Sequence, residues 1–190
     1  MKVIKLGGSL MDDAAVLTQC LNTIKQKTKE HIVIVPGGGM FADQVRSVQK
    51  QWGFDDNIAH QMAILAMQQM ALLYKSINQY FFLAENISMI KQALINHSVV
   101  IWSPDIRELN SASVEASWDI TSDSLSAWLA NQLMASELIL VKSAEIPFEL
   151  SIQDMQQHGL LDRAFNEFIK NSSYKITLIN KHRFNEYAFT

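Results

Sequence analysis

The sequence predicts an α/β fold built on a mainly parallel sheet. Two observations carry this. Short apolar or β-branched runs alternate with helical patterns from end to end, as in a chain of βαβ units. Two of those runs, Lys2–Leu6 and residues 32–35, lead straight into glycine loops, Gly7-Gly8-Ser9 and Gly37-Gly38-Gly39, each followed by a helical pattern. A helix that starts at such a loop turns its free N–H groups toward whatever fills it, which makes an anion site. Open α/β sheets bind ligands at the carboxyl ends of their strands, so two such units side by side would aim two anion cradles at one crevice.

In chain order, Lys2–Leu6 is strand one. Asp12 or Asp13 caps the next helix, whose apolar face is Ala14, Ala15, Leu17, Leu21 and Ile24. Residues 32–35 form an unbroken β-branched run, suited to a strand buried on both faces, and Pro36 ends its pairing because it has no N–H. Residues 40–51 are a helix with Phe41, Val45, Val48 and Trp52 at helical spacing. Residues 53–57 are a break, and Asp56 or Asn57 caps a long helix reaching Tyr80. Met62, Ile64, Leu65, Met67, Met70, Leu72, Leu73 and Ile77 make it apolar almost all round, so it is either a core helix or half-buried in a partner subunit. His60, near its start, is expected at the surface or as a capping residue.

Residues 81–84 form a short strand and 87–95 a helix. Val99–Trp102 is a buried strand ended by Pro104, 105–109 a helical turn and 110–116 a mobile polar loop. Thr121-Ser-Asp-Ser124 opens an amphipathic helix carrying Leu125, Trp128, Leu129 and Leu133. A strand over 138–141, helices over 151–157 and 162–169 with Gly159 as a stop between them, and a strand over 176–179 complete the chain.

At 190 residues and 48% hydrophobic, the chain fits a single domain, 1–190, with a sizeable core. Net charge is −3, so nothing in bulk composition points to nucleic acid or a membrane surface. The charge of an anionic ligand must be met locally, by a few lysines and loop amides. The one cysteine, Cys20, excludes an internal disulfide, reads as a small buried apolar residue, and fits a reducing cytoplasm. Met1 leads directly into a strand, so no secretory signal is expected. The richest apolar stretch, 62–83, is interrupted by Gln68, Gln69, Lys75, Asn78 and Gln79, so no membrane span is expected either. No histidine spacing suggests a metal, and His97, His158 and His182 read as structural.

Three chemistries compete for the glycine loops. A Walker A loop needs Gly-Lys-Ser/Thr after its glycines, whereas here Lys5 precedes them and no lysine follows. A dinucleotide fingerprint is met in part by Gly37-Gly-Gly39-Met-Phe-Ala42. It also wants a second strand ending in an acid, and Asp55 and Asp56 follow a helix directly. A two-cradle phosphoryl-transfer site explains both loops and Lys5 together.

Lys5-Leu-Gly-Gly-Ser9, Val35-Pro-Gly-Gly-Gly39 and Thr121-Ser-Asp123 before a helix, in this order, resemble the amino acid kinase superfamily. Finer matches, Phe41-Ala-Asp43-x-x-Arg46, Ser117–Ser124 as Ser-Trp-Asp-Ile-Thr-Ser-Asp-Ser, and Gly159-x-x-Asp162-x-x-Phe165, resemble its short aminomethylfuran-phosphate kinase subgroup. The resemblance covers nearly the whole chain. It implies a three-layer α-β-α sandwich, with an acceptor-binding half over about 1–110 and a shortened nucleotide half over about 117–190. It also implies Lys5 and Asp123 as catalytic groups, with Lys5 bridging phosphate oxygens and Asp123 orienting the cations. Gly7, Gly8, Ser9, Thr121 and Ser122 would hold phosphate or nucleotide. Gly37, Gly38, Gly39 and Arg46 would hold the acceptor. ATP and Mg2+ are the implied cofactors, with no dedicated metal cage, and a small-molecule acceptor and a second copy of the chain the implied partners.

Plainer readings stand beside these. Lys5 also suits an ordinary strand end, Asp123 a helix N-terminus, and Arg46 a solvated helix face. Asp162 reads first as a helix cap, and the role of Asp43 stays open. The nucleotide half departs from the family. Its usual Thr/Ser-Asp-Val-x-Gly is replaced by Lys142-Ser143-Ala-Glu145-Ile-Pro147, and the segment bearing a second catalytic lysine is missing. Lys142 is the candidate to replace that lysine. The expected function is ATP-dependent transfer to a phosphate- or carboxylate-bearing acceptor, an aminomethylfuran phosphate by resemblance. The rival is a non-catalytic anion-binding or assembly protein on the same fold, and a nicotinamide-dinucleotide enzyme is a weaker third.

Overall fold

The computed structural model describes residues 1–27, 30–146 and 151–187. Residues 147–150 of the shortened nucleotide segment, Pro147 among them, lie outside it. Six strands form one sheet: β1 (Lys2–Leu6), β2 (Ile32–Pro36), β3 (Phe82–Ala84), β4 (Val99–Trp102), β5 (Glu137–Lys142) and β6 (Lys175–Asn180). Their spatial order is β3-β4-β2-β1-β5-β6, and every pairing is parallel. Helices α1 (Ala14–Lys27), α2 (Gly39–Trp52), α3 (Asp56–Ile77), α4 (Ile87–Ala93), α5 (Ile106–Ser111), α6 (Ser122–Gln132), α7 (Ile152–Gln157) and α8 (Phe165–Ile169) alternate with them.

The core lies in two layers, one on each sheet face. Alternation along a strand sends successive side chains to opposite faces. Val3, Val33, Val35, Leu138 and Leu140 therefore pack with α6 and α8 residues such as Leu125, Leu129 and Phe165. Ile4, Leu6, Ile34, Ile139 and Val141 pack with Leu17, Leu21 and Ile24 of α1. This is the expected three-layer arrangement. Cys20 is buried in the second layer, and that burial pushes its thiol up to about 11. Among the described residues no helix is long and apolar enough to cross a membrane.

Several local expectations change. A 3-10 turn, Gly8–Asp12, precedes α1, and Asp13 is the cap, accepting from the Val16 N–H at 3.1 Å. Ala14, Ala15 and Trp52 are exposed, so the faces of α1 and α2 are narrower than their apolar content suggests. Asp55, rather than Asp56 or Asn57, caps α3, and α3 stops at Ile77. Leu65 and Leu72 on α3 are exposed, while His60 is buried, contrary to its expected surface position. The helix over 162–169 is shorter, because Asp162 is used elsewhere, and α4 ends at Ala93. Within 110–116, α5 continues to Ser111 and Val114 is buried. Helix α6 is not amphipathic: residues 122–130 are all buried, since it lies between the sheet and α8.

Candidate active site

The site lies at the carboxyl ends of β2, β1 and β5, three adjacent strands. Leu6 is in register with Pro36 on one side and Val141 on the other. The ladder runs on into the loops, with Gly37 N–H donating to the Leu6 carbonyl and Gly7 N–H to that of Val141, both at 2.9 Å.

The glycines are needed for a reason the sequence did not state. The two loops touch each other. A Cβ on Gly8 would lie 2.3 Å from Gly39 N, and one on Gly37 would lie 2.3 Å from Gly8 N. Gly39 also has φ +56°, a conformation that disfavours side chains. Gly8→Ala is expected to push the loops apart and to cost about 1–3 kcal/mol, as overpacking does. A urea unfolding curve with a lower midpoint and unchanged slope would register it. The first-turn N–H of Met40 has for acceptor the thioether of Met11, at 3.3 Å. Sulfur is a weak acceptor, so the start of α2 remains suited to an anion.

Strand parity brings the charges together. Lys5 shares its face with Val3, and Lys142 shares its face with Leu138 and Leu140, so both point into the layer that holds α6. Asp123, in the first turn of α6, lies between them. Its carboxylate pairs with Lys5 Nζ at 2.8 Å and with Lys142 Nζ. Asp123 is 3% exposed and Lys5 5%. Burial pushes the Asp123 carboxyl up, but the Lys5 and Lys142 ammoniums together outweigh it and hold it below the usual carboxylate range. Burial, and then the facing Lys5, depress Lys142 despite its bond to Asp123.

Asp162 caps α6 from 41 residues away. It accepts from Thr121 Oγ1 at 2.6 Å and from the Thr121 and Ser124 N–H groups, both at 2.9 Å. Burial and the nearby Asp123 raise its carboxyl above the ordinary value. Thr121 is thereby held in place, with Ser122 next to it in the first turn of α6. Ser9 Oγ donates to Ser143 Oγ at 2.9 Å, joining the first glycine loop to the end of β5.

These groups open into one cleft of about 440 Å3. Lys5, Gly8, Ser9, Gly38, Gly39, Thr121, Ser122, Asp123 and Lys142 line it, as does Arg46 of α2. Gly7 and Gly37 stand behind the lining, in the contact between the loops. Arg46 is exposed, as a residue on a solvated helix face would be, and its guanidinium lies 3.9 Å over the Trp118 ring, which holds the side chain against the loop. Trp118 Nε1 donates to Gln49 Oε1 at 2.6 Å, which anchors the loop after α5 to α2. The sequence reading gave Trp118, His60 and Ser143 no place in the site. For His60 the available signal was its helical spacing with Ile64 and Met67, which share its wall of the cleft. Among the described residues no group of three or more His, Cys, Asp or Glu could hold a metal ion.

The sheet order also removes one rival. A dinucleotide fold would place one helix and then a strand after the glycine loop, in a sheet of order 3-2-1-4-5-6. Here α2 and α3 follow that loop, and the order differs.

Known proteins agree with this architecture. A profile of the amino acid kinase family matches residues 1–145. The chain is 32% identical over 145 residues to the (5-(aminomethyl)furan-3-yl)methyl phosphate kinase of Methanocaldococcus jannaschii, covering 76% of this chain and 67% of that one. The crystal structure of uridylate kinase from Archaeoglobus fulgidus superposes with a TM-score of 0.70 at 16% identity, covering 97% and 94% of the two chains. That of aspartate kinase from Synechocystis also gives 0.70, at 13% identity, covering 95% of this chain and 38% of that one. With a profile spanning three quarters of its length and this sheet beneath it, the chain belongs to the amino acid kinase family.

Proposed function

We propose that this chain catalyses ATP-dependent phosphoryl transfer to a small acceptor that already carries an anionic oxygen, a phosphate or a carboxylate. The observation that carries this is the Lys5–Asp123–Lys142 group, set beside two glycine loops in one cleft. Phosphoryl transfer asks mainly for positioning and for fixed charge where negative charge spreads. Lys5 and Lys142 would supply that charge, and Asp123 would hold both ammoniums without serving as a base, because each of its oxygens already faces a lysine. Asp162 is equally committed, to three donors. A site with no free base near its lysines suits an acceptor that needs no deprotonation. The acceptor oxygen would attack the terminal phosphorus, the bond to the nucleotide's bridging oxygen would break, and a diphosphate or acyl phosphate would leave with ADP.

Gly7, Gly8, Ser9, Thr121 and Ser122 would hold the transferring phosphate, and Gly37, Gly38, Gly39 and Arg46 the acceptor. The halves would divide as about 1–110 for the acceptor and about 117–190 for the nucleotide, within one domain. Mg2+ would rest on phosphate oxygens and water, as it often does. By the Methanocaldococcus relative, an aminomethylfuran phosphate is the proposed acceptor. A homo-oligomer in the cytoplasm is the proposed state; exposed Ile58, Leu65 and Leu72, seven residues apart on α3, are apolar surface it would cover.

One observation favours the second reading, an anion-binding protein without turnover. Nothing from Ser143 to His158 lines the cleft among the described residues, and Asn180 Nδ2 ties down the carbonyl of Ala144 at 3.0 Å. Calorimetry with Mg-ATP separates the two. Binding, with ADP release on adding the aminomethylfuran phosphate, is the expected result. A folded protein that binds no Mg-ATP would leave the scaffold reading.

A further inference from the structure

The far end of the cleft has a chemistry of its own. Helices α2 and α3 pack antiparallel along it. A Cβ on Gly38 would lie 3.6 Å from Ala66 Cβ, near the middle of α3, whereas Gln49 Nε2 donates to Asp56 Oδ1 at 2.8 Å where the two helices connect. Residues at helical spacing on each helix line one wall: Ala42, Asp43 and Arg46 from α2, and Asp56, His60 and Ile64 from α3. Seven residues of helical rise separate Gly39 from Arg46, about 10 Å. Arg46, on the level of His60, therefore marks a place well beyond the glycine loops, where a small acceptor anchored at those loops would end.

His60 is 7% exposed, lines the cleft, and its Nε2 has no hydrogen-bond partner. A buried polar atom left in this way costs stability unless something else satisfies it. Burial lowers the His60 pKa, which favours the neutral imidazole, a ring with one nitrogen free to accept. Asp43, Asp56 and Arg46, whose guanidinium is turned onto the Trp118 indole, line the cleft with His60. The near end of the cleft offers an anion the two lysines and the glycine-loop amides. The far end holds two carboxylates, the Arg46 guanidinium and a hydrogen-bond acceptor, and apolar Ile64 and Ile120 also line the cleft.

We infer that His60, with Asp43 and Asp56, is a specificity subsite for a primary ammonium at the end of the acceptor opposite its phosphate. His60 would accept a hydrogen bond from the ammonium, and the carboxylates would balance its charge. This rests on the acceptor-side reading above and deepens it. It names the residues that would select the amine of such an acceptor.

The test compares two probes by calorimetry: the aminomethylfuran phosphate and the same compound with hydroxymethyl in place of aminomethyl. Wild type should bind the amine at least about tenfold more tightly, the scale of a hydrogen bond to a charged group. That preference should collapse in His60→Leu and in Asp43→Asn. The second variant alters an exposed position on α2 and so keeps the test independent of any folding defect from the first. Equal binding of the two probes by wild type, binding of neither, or a preference retained in both variants would overturn the inference. Mg-ATP binding, measured in the same samples, reports separately on phosphoryl transfer. If it persists while the amine preference is absent, the kinase reading stands and the subsite falls.

Discussion

Lys5→Ala is expected to lower ATP-dependent turnover by about 10²–10³-fold, the usual scale for removing one fixed charge or donor from a transition state. The fold should survive, because Asp123 keeps Lys142 as a partner and the remaining pair is neutral. Binding of Mg-ATP should weaken in the same variant if Lys5 meets the transferring phosphate. A coupled assay of ADP release, with calorimetry on the same preparations, measures both. Full turnover in Lys5→Ala would end the mechanism proposed here, whatever the acceptor.

Asp123→Asn should have the largest effect on stability. It removes the one anion that lies between Lys5 and Lys142, leaving two buried ammoniums facing each other. Removing one partner of a buried ionic group typically costs about 3–5 kcal/mol, because the uncompensated charge stays behind. In a chain of this size each kcal/mol lowers Tm by about 2–4 °C. The pH dependence has a definite sign. The folded-state pKa of Asp123 is depressed below its ordinary 3.8. Its contribution is therefore fully present above that value and is lost as pH falls through the folded one. Wild type should show a steep acid limb, and Asp123→Asn a shallower one. Glu137 also contributes: burial pushes it up, but hydrogen bonds from Thr177, Tyr187 and Lys175 hold it below the ordinary carboxylate range. Thermal melts between pH 7 and acid, on both proteins, decide this. An unchanged acid limb in the variant would mean that Asp123 does not carry the charge balance of the site.

Much of the fold was legible because it is written locally. An unbroken β-branched run at 32–35, Pro36 after it and three glycines beyond specify a buried strand, its end and a turn without reference to the rest of the chain. The six strands fall where the apolar runs lie, and Gly53 and Gly159, both in the left-handed conformation, close helices as glycines do. Caps were less legible. Asp55, Asp56 and Asn57 are all competent, and which one caps α3 depends on where the chain leaves α2. Burial was the least legible. Trp52 is exposed and His60 buried because exposure depends on which face meets the neighbouring helix, and that is set by packing rather than by residue type.

The sequence by itself determined the alternation of strands and helices, the two glycine loops, and the presence of a lysine, an aspartate and a second lysine near strand and helix ends. Only the tertiary structure decided that they meet. Lys5, Asp123 and Lys142 are brought together because β1 pairs with β5 while α6 packs on the face that odd-numbered β1 residues and even-numbered β5 residues share. Asp162 became the cap of α6, and Gly8 the neighbour of Gly37 and Gly39, through contacts between segments remote in sequence. Helical and strand periods act over a few residues, whereas sheet order and layer packing are fixed by burying apolar surface across the whole chain. The charge balance of the site belongs to that second level.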